Sequence, residues 1–415
     1  MKGGYFSRPV LKFRDGTALT PFEGFKNGFK PYYSPTLKGV LAIVPTSIRQ
    51  EFNALWKNIW GGIKKFNGLS KWVSLNAESL NFEIVELSHY DYIKAVETKL
   101  PELENFDIVL LIVPDKLMVP YDRDPYVPYK RLLSINGYPS QMIAESTVKY
   151  SFENPYVLFN IALSIFTKAG GIPWTIDVSW ENILFIGIDS TQQGNKRFFA
   201  LTAAYGIPKI NFFWTLDTVE SPSEKISSER MKKIIRNVVS TAQKSSSSPF
   251  EKIVIHRDGL IFEDELIGVR EAFKEMLQSG IVSNNTKYAF VSVKKHKTPK
   301  IFKSYAKSYG TPDKGLYIIF GYEKGLVVTT GFPEFSPFSP MGKINPLDVE
   351  IADSNYEASI KDIMKEIYYL SELHFASGFR SAKLPITILF SDRIAKFAYS
   401  GVIPSRKLQE TLWFL

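Results

Sequence analysis

The chain has 415 residues, 45% of them hydrophobic and 22% charged, which excludes wholesale disorder and allows two or three domains with sizeable cores. It has no cysteine, which excludes disulfides and thiolate metal sites and fits an expected cytoplasmic location. The 51 Lys and Arg exceed the 42 Asp and Glu by 9, which points to a polyanionic partner; no apolar run approaches the roughly 18 residues of a membrane-spanning helix, and Met1-Lys2-Gly3-Gly4 opens onto no signal-peptide core.

Residues 1–37 read as an extension, with a strand over Pro9–Phe13 and a turn at Asp15-Gly16. Residues 38–170 alternate strand and helix signals. Buried strands are expected at 39–44 and 107–113, an alternating strand at 82–87, and helices over 47–65, 91–99 and 155–169. Pro155 starts the last of these helices and Gly170-Gly171 ends it. This alternation implies a parallel, Rossmann-like α/β unit, but without a GxGxxG loop that would support nucleotide-cofactor binding. Residues 171–415 predict a second α/β domain. Its strands are expected at 183–188, 197–204, 208–214, 252–256 and 287–293, and its helices at 226–243, 356–372 and 390–400. Successive early strands followed by strand–helix alternation fit an RNase H-like sheet, and residues 300–346 read as hairpins and loops.

Two carboxylates stand out. Ile253-Val254-Ile255 is a short β-forming run that delivers the His256-Arg257-Asp258-Gly259 cluster, and Ile183–Ile188 delivers Asp189 in the same way. Acidic residues paired at strand ends can hold divalent cations against a phosphodiester, or each can simply cap a turn. A second grouping is Tyr126 and Lys130, four apart, then Gln141, with Asn160 and Lys168 eight apart on one helix. A ring to stack on a base, two lysines and two amides suit a terminal phosphate. The same residues also read as a surface pair and a lysine favouring a helix C-terminus. Slipping the register by one residue would place Val127 and Arg131 in that pocket instead, beside Tyr129. The run Lys294-Lys-His-Lys297, continued by Lys300, Lys303 and Lys307, suits sequence-independent backbone contacts or a solvated turn. Four histidines without cysteine give no zinc spacing.

Ile183–Asp189, the HRDG at 256–259, Tyr288–His296 and the terminal Trp413-Phe414-Leu415 together resemble the Piwi domain of Argonaute proteins, and the resemblance covers roughly residues 38–415. It implies a Rossmann-like MID domain over 38–170 followed by an RNase H-like Piwi domain over 171–415, as in short prokaryotic members of archaeal type. It assigns guide 5′-phosphate binding to Tyr126, Lys130, Gln141, Asn160, Lys168 and Arg380. A magnesium ion there would be held by Gln141 and the carboxylate of Leu415. The family's nuclease carboxylates fall on Asp189, Glu229, Asp258 and Asp392, with Glu220 and Glu224 as alternatives to Glu229; Asp189 and Asp258 would hold Mg²⁺ or Mn²⁺. The partners implied are a short guide RNA or DNA, a complementary target strand with DNA the expected one, and associated effector proteins, a membrane protein among the candidates. The resemblance favours a guide-loaded sensor in defence, with a guide-directed endonuclease as the alternative.

Overall fold

A computed structural model of the chain describes residues 2–75, 79–88, 91–115, 124–221, 223–296, 298–305, 308–334 and 345–415. The chain forms two compact units. One comprises Met1–Val10, Ile176–His374 and Arg380–Tyr399; the other comprises Leu11–Thr175, Phe375–Phe379 and Ser400–Leu415. Residues 11–37 and 400–415 therefore share a unit with 38–175.

The Leu11–Thr175 unit is Rossmann-like. Gly39–Pro45 (β1) and Ile108–Val113 (β3) are apolar throughout and fully buried. Asn81–Leu87 (β2) and Ser140–Ala144 (β4) flank them in the order β2-β1-β3-β4, all parallel. Such a sheet must be covered on both faces, which is why its central strands carry no alternation. Helices Arg49–Gly61 (α1), Tyr92–Lys99 (α2), Tyr126–Ile135 (α3) and Pro155–Lys168 (α4) follow the strands. Tyr92, Val96, Tyr129 and Leu133 of α2 and α3 pack on Leu41, Ile43, Val109 and Leu111. The Asn154 side chain caps the first N–H groups of α4, and Gly170 ends it at a left-handed φ of 93°. Helix α1 stops at Gly61 rather than running to 65, because Gly62 turns the chain at φ 85°.

The other unit is built on a nine-stranded sheet. Trp180–Gln193 (β5), Lys196–Ile207 (β6) and Asn211–Val219 (β7) form an antiparallel meander. Lys252–Asp258 (β8) pairs parallel with β5, and Lys287–Lys294 (β9) parallel with β8. The order β7-β6-β5-β8-β9 is RNase H-like. Leu347–Ser354 (β10) and the strands Lys324–Val327, Leu316–Ile319 and Lys2–Tyr5 extend the sheet antiparallel beyond β9. Helices Ser228–Ser245 (α5) and Glu263–Gln278 (α6) cover one face, where Met231, Ile235, Val239, Val269 and Met276 meet Ile186, Ile188, Ile253 and Ile255. Each such side chain contributes roughly 1.5–3 kcal/mol on burial.

Alternation sends Phe185, Gly187 and Asp189 to the opposite face of β5. Helix Ile360–Leu370 (α7) follows β10 in the chain, and helix Ile386–Tyr399 (α8) lies on that face of β5, so close that a Cβ on Gly187 would come within 2.3 Å of the Thr387 backbone. Ser391 Oγ bonds Gly187 O at 3.0 Å. The glycine in Ile183–Ile188 is thus what lets α8 approach.

Several expectations shift. β5 continues to Gln193, so Asp189 lies inside a strand, whereas Asp258 ends β8. β7 begins at Asn211, past Pro208, which has no N–H for a ladder. α8 begins at Ile386 rather than at 390, which puts Asp392 in its second turn. β4, α6 and β10 are additional elements; the apolar spacing of Leu266, Val269, Phe273 and Met276 in α6 is diluted by charge. Among the described residues no helix is long and apolar enough to cross a membrane.

Candidate functional site

In the Rossmann-like unit, α3 places Lys130 one turn after Tyr126, and α4 ends on Lys168. Both lysines are buried. Lys130 Nζ donates to Ser140 O at 3.0 Å and to Trp413 O at 2.8 Å. Lys168 Nζ donates to the same Ser140 O at 3.0 Å and to Gln141 Oε1 at 2.6 Å. Ser140 and Gln141 begin β4. The cluster therefore sits at the amino end of its strand, away from the carboxyl-end crevice where α/β sheets commonly bind cofactors. Burial alone pushes the Lys130 ammonium down to about 7.

Tyr126 is half-buried at the start of α3. Asn160, two turns before Lys168, has a buried Oδ1 with no hydrogen-bond partner among the described residues. The slipped register does not form a second pocket: Tyr129 packs on Tyr92 in the core, with ring centroids 5.1 Å apart. Arg131 bonds the carbonyls of Gly401 and Ser400 at 3.0 and 3.1 Å. Trp413 and Phe414 are buried in this unit, and the N–H of Leu415 closes a turn onto Leu412 O at 3.1 Å. Arg380 belongs to the other unit, where it is exposed and its carbonyl bonds His374 Nε2.

In the sheet unit, Asp189 of β5, Asp258 of β8 and Asp392 of α8 come together on one side chain. Lys295 Nζ lies 3.1, 2.7 and 3.0 Å from their respective carboxylates. Burial, reinforced by the neighbouring Asp258 charge, pushes the Asp189 carboxyl up. Burial acts the same way on Asp392, but Lys396, at 2.6 Å, and Lys295 outweigh it and hold that carboxyl below its usual range. Burial disfavours the Lys295 charge, yet the three aspartates raise its pKa, so it stays an ammonium.

Glu229 stands outside this cluster. It is exposed in the first turn of α5 and pairs with Lys232 at 2.8 Å. Glu224, one of the two alternatives, lies at the end of β8: its Oε1 is 3.5 Å from where a Cβ on Gly259 would be and 3.8 Å from Arg257. Arg257 explains this placement. Fully buried, its guanidinium donates to Asp258 O at 2.7 Å and Glu224 O at 3.2 Å, and lies 3.6 Å from the buried Glu265.

Among the described residues no group of three His, Cys, Asp or Glu side chains is arranged, as it stands, to hold a metal ion. The aspartates surround the Lys295 ammonium at 2.7–3.1 Å, the distances of charge-assisted hydrogen bonds. Gln141 Oε1 likewise accepts from Lys168. At the three aspartates a lysine stands where the cation was expected, so a metal would have to displace Lys295 to use these oxygens.

Lysines 294 and 295 in the basic run have acidic partners instead of solvent: Lys294 pairs with Glu350 at 3.1 Å, Lys295 with the aspartates. Lys303 pairs with Asp313 at 2.7 Å, while Lys300 is exposed. Lys297 and Lys307 lie outside the described residues. Lys295 and Arg257 are the functional candidates that spacing alone does not reveal. Their only signal is direct adjacency to Asp258 in sequence for Arg257 and to the end of β9 for Lys295.

The sheet order and the acidic cluster on its central strands define an RNase H-like protein. A family model for the Piwi domain matches residues 109–402, and the chain belongs to that family. It is similar to the Argonaute of Aquifex aeolicus, 24% identical over 326 residues, which is 76% of this chain and 42% of that protein. It is also similar to the Argonaute of Thermus thermophilus, 25% identical over 269 residues, 64% of this chain and 36% of that one. The solved structure of Clostridium butyricum Argonaute bound to a guide DNA and a 19-mer target DNA has a TM-score of 0.78 at 26% identity, covering 100% of this chain and 55% of that chain. Drosophila Piwi has the same fold, with a TM-score of 0.78 at 16% identity. The chain thus spans less than half the length of these curated relatives and just over half of the solved chain.

Proposed function

We propose that the chain binds a short guide strand by its 5′-phosphorylated end and presents it for pairing with a complementary target. The Rossmann-like unit acts as a MID domain and the sheet unit as a Piwi domain. The observation that carries this reading is the convergence of two buried ammonium groups, Lys130 and Lys168, on Ser140 O, with Gln141 beside them. A terminal phosphate supplies the negative charge and acceptor oxygens that such a cluster stabilises. Asn160 brings a second amide, and Tyr126 a ring at the start of α3 for the first base. Guide pairing supplies sequence specificity, and the chain's positive charge supplies backbone affinity. The relative solved with guide and target DNA supports this use of the fold. The biological output is defence against invading nucleic acid through associated effector proteins. A direct binding comparison of 5′-phosphorylated and 5′-hydroxyl strands tests the reading.

A second reading, a guide-directed endonuclease, is favoured by the meeting of Asp189, Asp258 and Asp392 on one side chain; Glu229 pairs with Lys232 instead, and Glu224 lies beside Gly259, the neighbour of Asp258. Magnesium or manganese would supply water activation and charge stabilisation in such a site. Cutting of a complementary target, with Mg²⁺ or Mn²⁺ added, tests it.

A further inference from the structure

The carboxylates of the sheet unit already face a cation that the chain itself supplies. Strand β5, strand β8 and helix α8 deliver Asp189, Asp258 and Asp392, and the residue just past β9 delivers Lys295 into their midst at 2.7–3.1 Å. Lys295 is braced from behind, since Lys383 Nζ donates to its carbonyl at 2.7 Å. Lys396 neutralises the outer oxygen of Asp392 at 2.6 Å. Among the described residues the only side-chain cation that touches all three aspartates is thus Lys295, and it fills the position an added ion would take. A site that accumulates divalent ions needs surplus negative charge and oxygens at roughly 2.0–2.1 Å. An ammonium and a metal ion cannot share this position.

We propose that Lys295 is the resident cation of this cluster and competes with divalent metal for it, so that metal enters only when the ammonium swings out. This inference deepens the endonuclease reading, but its test needs neither guide nor target. Manganese binding to the full chain is followed by the loss of the free-ion paramagnetic resonance signal, in the wild type, Lys295→Met and Lys295→Arg. Lys295→Met is expected to bind Mn²⁺ at least about tenfold more tightly than the wild type. Lys295→Arg, which keeps the charge, is expected to stay near the wild type. Adding Asp258→Asn to Lys295→Met should abolish the gain. Equal Mn²⁺ affinity in the wild type and Lys295→Met, whether both bind or neither does, overturns the proposal. Removing Lys295 also leaves three carboxylates facing each other, so melting is measured as a second readout. Mn²⁺ should raise the Tm of Lys295→Met and leave that of the wild type unmoved; no Mn²⁺-dependent rise in the variant counts against the proposal. A Lys295→Met protein that binds Mn²⁺ yet cuts no target supports the competition and removes the endonuclease reading alone.

Discussion

Lys130 and Lys168 donate to one and the same atom, the carbonyl oxygen of Ser140, each at 3.0 Å. A buried pocket disfavours the charged forms of these two amines, and burial is what lowers the Lys130 pKa. An anion bound between them offsets that penalty. Lys168→Ala is therefore expected to weaken binding of a 5′-phosphorylated strand by about 1.5–3 kcal/mol, the range of a hydrogen bond to a charged group. Binding of the 5′-hydroxyl strand should barely change. An equal loss for both strands, measured by fluorescence anisotropy, contradicts a phosphate role for Lys168.

The position of Glu224 leads to a second expectation. Arg257 ties the Glu224 carbonyl to the end of β8, next to Asp258, while Glu229 faces solvent beside Lys232. In a cleavage assay with guide, target and Mn²⁺, Glu224→Ala should lose the product and Glu229→Ala should keep it. Cutting that survives Glu224→Ala but not Glu229→Ala would reverse this assignment.

Much of this arrangement could be read from the chain, and the parts that could not have physical reasons. The fully apolar runs at 39–45 and 108–113 announce central parallel strands, and the strand–polar junction at Ile255-His256 announces the end that carries Asp258. Residue types and spacing suggest Lys130 and Lys168 for one phosphate, but 38 positions separate them and no periodicity connects α3 to α4, so the family resemblance supplies most of that pairing's weight. Glu229 sits at a helix start, which draws attention to it, yet a helix start is where acidic residues favour the dipole irrespective of function. Lys295 belongs to a run of basic residues that reads as a solvated surface. That it turns inward depends on three carboxylates from distant segments, which only tertiary structure assembles.

Arg257 makes a stability prediction. It is fully buried with Glu265, so Arg257→Met leaves an acidic group in the core without its partner. The expected loss is about 3–5 kcal/mol, read from denaturant unfolding. A change below about 1 kcal/mol would show that the pair adds nothing. Replacing both residues, Arg257→Met with Glu265→Leu, should recover a large part of the loss.

The buried histidines predict the acid limb of the stability curve. Burial lowers the His374 pKa to about 4, only partly offset by its bond to Arg380 O, and lowers that of His256 to about 3. Above pH 6.5 neither folded nor unfolded histidine is protonated, and the stabilisation is complete. As pH falls below 6.5 the unfolded chain takes up protons that the folded chain refuses. Each histidine should then remove about 1.4 kcal/mol per pH unit, down to pH 4 for His374. His374→Gln should flatten this dependence between pH 6.5 and 4; an unchanged slope would mean that His374 protonates freely in the folded state.

The most direct measurement is the affinity of the full chain for two otherwise identical short strands, one ending in a 5′-phosphate and one in a 5′-hydroxyl, at one fixed salt concentration. Two buried lysines meeting at Ser140 predict that the phosphorylated strand binds about tenfold or more tightly, one or more charge-assisted hydrogen bonds in free energy. Equal affinity for the two strands would contradict the account.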